Sequence, residues 1–161
     1  MRRAAVLIGL VVVSLTLGAA GSLSGAGAQR TPDIKMVIET YKQALMKLDG
    51  PAVAALFDDN IVLDNFGETA KGKAEAIALL REAIAAQPNL SVSLGETVYV
   101  LNTAIEREAF SSDTTRAAGV SRVWGIETIV VLGGKIVSYT AVPDLNDPET
   151  VRFIQFASQP R

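Results

Sequence analysis

Neither cysteine nor histidine occurs among the 161 residues. Their absence excludes disulfide, thiolate and haem-thioether chemistry, and it removes the commonest zinc ligand and the usual near-neutral general base. Proton transfer or ligand recognition must therefore come from carboxylates, Tyr, Lys, Arg, Ser or Thr, and no metal or other cofactor is expected. Glu127 is the most informative of these. It shares one face of an expected strand with Gly125, Ile129 and Val131, where a carboxylate costs free energy unless it is paired or protonated. Arg107 or Tyr139 could partner it in a structural ion pair or hydrogen bond; a place in a pocket is the alternative. Tyr41 lies on the apolar stripe of a helix, which suits a core tyrosine with its hydroxyl at an edge and equally a hydroxyl offered to a ligand. Asn65 ends a strand, where its amide can bond turn backbone or a ligand.

The elements that must position these residues follow from periodicity. Thr31 as cap, Pro32 at the first helical position and Asp33 at the positive end of the dipole open a helix. Ile34, Val37, Ile38, Tyr41, Ala44, Leu45 and Leu48 form its stripe. Gly50 is expected to stop it in a left-handed conformation, and Pro51 to start a short second helix through Val53, Leu56 and Phe57. From Ile61 the period becomes two. Ile61, Leu63 and Asn65 point one way, and Val62, Asp64 and Phe66 the other. Lys73 to Ala86 reads as a third helix with Ile77, Leu80 and Ile84 on its apolar side. Strands follow at Ser91–Leu101 and Ala104–Phe110, with a polar connection over Ser111–Gly119. A long hairpin then runs from Val120 to Leu132, turns at Gly133-Gly134 and returns as Lys135–Val142. Asp147 and Pro148 open a last short helix. The opposite face of the Glu127 strand carries Trp124, Ile126, Thr128 and Val130. A strand apolar on both faces must be covered twice, by a second copy of the chain in a homodimer or by the terminal helix.

Arg2 and Arg3 precede an apolar run from Ala4 to Ala20 and a small-residue tail ending in Ala26-Gly27-Ala28. That order is the pattern of a cleavable secretory signal over residues 1–28, with Gln29 as the mature start; an uncleaved anchor is the competing reading. The location expected is outside the cytoplasm, periplasmic or extracellular. Lipidation of the lipoprotein class needs a cysteine and is excluded. Removing residues 1–28 takes away two arginines and no acids, which leaves 13 basic against 17 acidic residues and a charge of −4. With no clustered basic footprint, no nucleic-acid partner is expected. Residues 29–161 have room for one domain.

Val37-Ile38-Glu39-Thr40-Tyr41 with Ala44-Leu45, then Ala54-Ala55-Leu56-Phe57-Asp58-Asp59-Asn60, Gly72-Lys73-Ala74 and Gly133-Gly134-Lys135-Ile136-Val137 carry a family resemblance. Together with the element order, they resemble the NTF2-like superfamily, which includes SnoaL-type cyclases, ketosteroid isomerase, scytalone dehydratase and limonene epoxide hydrolase. The resemblance covers most of residues 31–143. It implies an α+β cone in which a curved antiparallel sheet wraps around the N-terminal helices and encloses a cavity. By this resemblance Tyr41 falls where the isomerase keeps an oxyanion-binding tyrosine, and Glu127 where it keeps a protonated carboxylic acid. Asn65 falls at the isomerase's aspartate base and departs from it, since an amide accepts no proton at ordinary pH. Asp64, one residue away, is turned to the other face. The Arg-x-Asp pair of the epoxide hydrolases is missing, because neither Arg107 nor Arg122 is followed two positions later by an acid.

The function expected is binding of a small, largely apolar ligand in a pocket formed by Tyr41, Asn65, Glu127 and Tyr139. A SnoaL-type isomerase, dehydratase or cyclase is the alternative, with Glu127 as acid or base and Tyr41 as donor. A structural or interaction domain without a cavity is the third.

Overall fold

The computed structural model describes residues 33–159. The expected signal segment, the Thr31 cap and Pro32 lie outside the described residues. Helix α1 (Ile34–Met46) is capped by Asp33, whose side chain accepts from the Lys35 N–H at 3.1 Å. Val37, Ile38, Tyr41 and Ala44 are buried along it, which is the expected stripe. The left-handed residue after it is Leu48, with φ of 53°, rather than Gly50. The cause is local: Asp49 caps a second helix, α2 (Gly50–Leu56), by accepting from the Ala52 N–H, so the chain must turn two residues earlier.

Strand β1 (Phe57–Asn65) begins four residues before the expected Ile61, because Phe57 is buried and paired with Ile136. A register shift between Phe57 and Val62 absorbs the polar Asp58-Asp59-Asn60. Asp64 does turn away from the core. Its carboxylate accepts from the Gly67 N–H at 2.9 Å and so shapes the turn into β2 (Glu68–Lys71), a four-residue strand that periodicity does not reveal. Helix α3 (Lys73–Ala85) buries only Ala76 fully, while Ile77, Leu80 and Ile84 remain half-buried.

Then come β3 (Ser91–Val100) and β4 (Thr103–Ser111). The polar connection after them holds a short helix, α4 (Asp113–Ala117), closed by a capping box in which Ser112 and Thr115 each bond the other's backbone. The expected Val120 start of the hairpin moves to Val123, giving β5 (Val123–Leu132), and β6 (Lys135–Pro143) returns through Gly133 and Gly134, both at positive φ. Asp147 caps the last helix, α5 (Pro148–Ala157), as expected.

The six strands form one curved, unclosed sheet in the order β2-β1-β6-β5-β4-β3. It is mixed rather than wholly antiparallel, since β1 runs parallel to β6. The chain must pass through α3 and the β3–β4 hairpin before β5 and β6 are made, so the returning strand meets β1 in the same direction. Helix α1 packs on β3 and β4 and helix α3 on β1 and β2. These contacts place the core on the concave side. Among the described residues, no helix is long and apolar enough to cross a membrane.

Candidate functional site

Three rows of side chains cross the concave face, fixed by strand register. One runs Tyr99–Ala104–Ile129–Tyr139–Leu63 and the next Thr97–Glu106–Glu127–Ala141–Asn65. The third runs Leu94–Glu108–Gly125–Pro143. Tyr41 reaches down onto these rows from α1, its ring centroid 6.2 Å from that of Tyr139.

Tyr41, Glu127 and Tyr139 therefore meet. Both phenols donate to Oε1 of Glu127, Tyr41 at 3.4 Å and Tyr139 in a short bond. All three are buried, Glu127 completely. Asn65 lies in the same row as Glu127, separated from it by the single methyl of Ala141, and is half-buried. Arg107, the other partner considered for Glu127, is turned to the convex face. There it forks onto Asp144 at 2.7 and 2.9 Å and stacks on Trp124, its guanidinium carbon 4.1 Å from the ring centroid.

Three further groups join the site. Glu106 stands directly opposite Glu127 and is 2% exposed; Glu108 is the diagonal neighbour. Lys42, one residue past Tyr41 on α1, lies 3.4 Å from Oε2 of Glu106 and donates to Thr97 Oγ1 at 2.9 Å, and Thr97 in turn donates to Glu106 at 2.8 Å. The sequence carried a signal for this pair. Ala104, Glu106 and Glu108 alternate on one face of an expected strand, which puts two acids on the side of a small buried residue. Which face that is depends on pairing with β5, and spacing alone does not fix it.

Oε1 of Glu106 and Oε2 of Glu127 are both buried and reached by no donor from another residue, so they can be satisfied only by a proton held between the two carboxyls. Two carboxyl groups facing one another out of water cannot both ionise at low cost. Burial first, and then the charge of Glu127, push the Glu106 carboxyl up to about 7. Glu127 is pushed well above the usual carboxylate range, by burial and then by the charge of Glu108. The phenols of Tyr41 and Tyr139 are likewise raised, by burial and then by Glu127. The facing pair consequently holds a proton at neutral pH. No cluster of ligands suited to a metal ion occurs among the described residues.

The rim is more open than the floor. Asn65, Phe66, Leu80, Leu94, Glu108 and Phe110 are half-buried. Phe66 packs over Gly125, where an added Cβ would lie 3.0 Å from its ring, and Phe110 sits edge-on to both Phe66 and Phe153. Helix α5 thus closes one end of the concave side through Phe153, instead of covering the convex face. A depression of about 260 Å³ on that side is lined by Glu96, Val98, Ile105, Glu106, Arg107 and Ile126, and a second of about 210 Å³ lies beside Ser93, Ser111 and Arg122. Neither is lined by Tyr41, Glu127 or Tyr139.

A helix-covered cone of this topology, with its polar residues gathered on the concave face, defines the NTF2-like class. Within it, the chain belongs to the SnoaL-like domain family, whose model matches residues 37–139. Solved structures of similar fold include an NTF2-like protein of unknown function from Mesorhizobium loti, 21% identical, with TM-score 0.60 over 74% of this chain and 97% of that one. A LEH-like epoxide hydrolase from M. tuberculosis is 19% identical, with TM-score 0.57 over 76% and 92%. A proposed ketosteroid isomerase from Kribbella flavida is 14% identical, with TM-score 0.58 over 68% and 76%. No curated protein matches the sequence.

Proposed function

We propose that this chain is an exported domain that binds a small, largely apolar ligand in the cone, with Tyr41, Glu127 and Tyr139 as the floor and Asn65 at the rim. The observation that supports this reading is the polar cluster on an otherwise apolar concave face: Glu127, held by Tyr41 and Tyr139, shares its row with the half-buried Asn65, separated from it by the small Ala141. Phe66, Leu94 and Phe110 offer the apolar wall such ligands require.

Mass spectrometry of small molecules released from the protein purified out of its exported fraction is the test. A stoichiometric apolar compound bearing one polar group is expected, and Glu127→Gln lowers its retention. A preparation that carries nothing, and binds no apolar probe, overturns the reading in favour of a structural or interaction domain.

A second reading rests on Glu106, whose proton affinity near neutrality suits proton transfer in an isomerase, dehydratase or cyclase. A pH–rate profile that loses its inflection near 7 in Glu106→Gln would favour it over binding alone.

The convex face supports a partner of the same kind. Val62, Val98, Ile105 and Val142 are exposed there, at 45, 60, 38 and 45% respectively. A second copy laid face to face would cover them, so the proposed state is a homodimer. Light scattering at micromolar concentration should give twice the monomer mass, and Ile105→Glu should return it to monomer.

A further inference from the structure

At the end of the convex face away from the hairpin tips, two successive strand pairs carry small side chains. Ser91 pairs with Ser111 and Ser93 with Ala109, so three hydroxyls and one methyl lie side by side on that face. Directly opposed side chains of this kind stand about 5 Å apart. Trp124 follows Ala109 in the same row and is far larger, and the chain leading into β5 brings Ser121 and Arg122 alongside. The step from small to large side chains leaves the depression of about 210 Å³, with the buried Ala109 as its floor.

Its lining is one-sided in chemistry. Four serines and one arginine surround it and no acid does, in a chain with more acids than bases. The hydroxyls of Ser91, Ser93 and Ser111 make no hydrogen bond to any described residue. Ser121 is committed, since its Oγ donates to Oε2 of Glu149 at 2.5 Å. The Ser121 and Arg122 N–H groups donate to the same oxygen at 3.2 and 3.3 Å. Glu149 thus fixes this chain segment through its backbone and leaves the Arg122 guanidinium alone. No carboxylate among the described residues lies within ion-pair distance of that guanidinium. Arg122 is placed all the same, because it shares the Trp124 ring with Arg107. Asp144 neutralises Arg107, and nothing neutralises Arg122. Two like charges over one ring raise each other's energy, and a negative charge beside Arg122 offsets that repulsion.

We infer that this depression is a binding site for a phosphate group, held by the Arg122 guanidinium and by the hydroxyls of Ser91, Ser93 and Ser111. The paired N–H groups of a guanidinium match two oxygens of a tetrahedral oxyanion, and the hydroxyls donate to the others. Binding makes and breaks no covalent bond. The depression leaves room beside the phosphate for a substituent, so the group is accepted as the free ion or as the end of a monoester. The site lies across the sheet from Glu127 and is independent of the ligand proposed for the concave side.

Nitrogen-15 NMR of the full folded protein at about pH 7.5 tests this, with inorganic phosphate and phenyl phosphate as probes and sodium chloride at matched ionic strength as reference. Both phosphates are expected to shift the amide signals of Ser91, Ser93, Ser111 and Arg122 and to saturate in the millimolar range, while chloride leaves these signals in place. Arg122→Gln should weaken both probes at least tenfold, and Ser93→Ala about threefold. Both side chains are exposed, so the fold is retained and the remaining spectrum shows it. Phenyl phosphate bound more tightly than the free ion marks a phosphorylated small molecule as the ligand, and equal affinities mark the ion itself. Shifts that grow without saturating, that chloride reproduces, that centre on other residues, or that persist unchanged in Arg122→Gln each overturn the inference and leave the concave reading untouched.

Discussion

The two faces of the same sheet solve the problem of a charged group beside apolar strands in opposite ways. On the convex side Asp144 is 6% exposed, yet both of its oxygens are used. Oδ2 receives the fork of Arg107, and Oδ1 accepts the Asn146 N–H at 3.0 Å. Arg107 in turn sits over the Trp124 ring at 4.1 Å, with Arg122 over the same ring at 5.6 Å. On the concave side Glu106 and Glu127 are buried as deeply, but the second oxygen of each is satisfied only by a proton held between the pair. The convex network is complete as charges, whereas the concave one is complete only while it keeps that proton, so the two faces differ in how they answer to pH.

The contrast can be broken by substitution. Tyr139→Phe removes the short bond to Glu127 and leaves a buried carboxyl supported only by the longer bond from Tyr41. A loss of about 2–3 kcal/mol of stability is expected by urea unfolding. A loss under about 0.5 kcal/mol would mean that the concave network is no more demanding than surface structure.

The pH dependence comes next in size. Glu106 titrates higher in the folded protein than in the unfolded chain, at about 7 against an ordinary 4.5. The unfolded chain thus gives up its proton first as pH rises. The stability associated with the protonated carboxyl is fully present below about 4.5, and it is lost between there and about 7. Roughly 2 kcal/mol should disappear across this window after allowance for solvent screening, and Glu106→Gln should flatten the profile. A wild-type profile already flat over this window would contradict the shared proton.

Arg107→Ala probes the convex face. It removes a half-exposed guanidinium from Asp144 and Trp124, with an expected cost of about 1 kcal/mol and no effect on ligand retention. A smaller effect of opposite sign is expected at the tip of the β3–β4 hairpin. Leu101 is 92% exposed and held at φ of 55°, a conformation costly for a branched side chain. Leu101→Gly should raise stability by about 0.5 kcal/mol, measured by the same unfolding experiment.

Much of this architecture was readable before any coordinates. The 3.6-residue stripe placed Tyr41 inward, and the two-residue period of β5 placed Glu127 on the buried face, because both patterns are local consequences of backbone geometry. Tyr139 was named as a possible partner of Glu127 alongside Arg107, which instead pairs with Asp144 on the other face. Glu106 and Glu108 escaped because their importance arises only from register. Glu106 opposes Glu127 through a pairing of β4 with β5 across the whole 112–122 connection. Two short elements were also hidden. β2 is four residues, three of them polar around the buried Ala70, stabilised by its pairing with β1, and α4 hides its cap in Ser112 and Thr115, which read as a polar loop. The parallel pairing of β1 with β6 joins residues some 75 apart, beyond any pattern local to the chain.

The shared proton is tested most directly by carbon-13 NMR of the protein labelled at the side-chain carboxyl carbon of glutamate, followed from about pH 4 to pH 9. The account predicts that glutamate signals removed by Glu106→Gln or Glu127→Gln are still in the protonated position at about pH 6, with the Glu106 signal moving near 7. Complete ionisation of every glutamate by about pH 5.5 would contradict it.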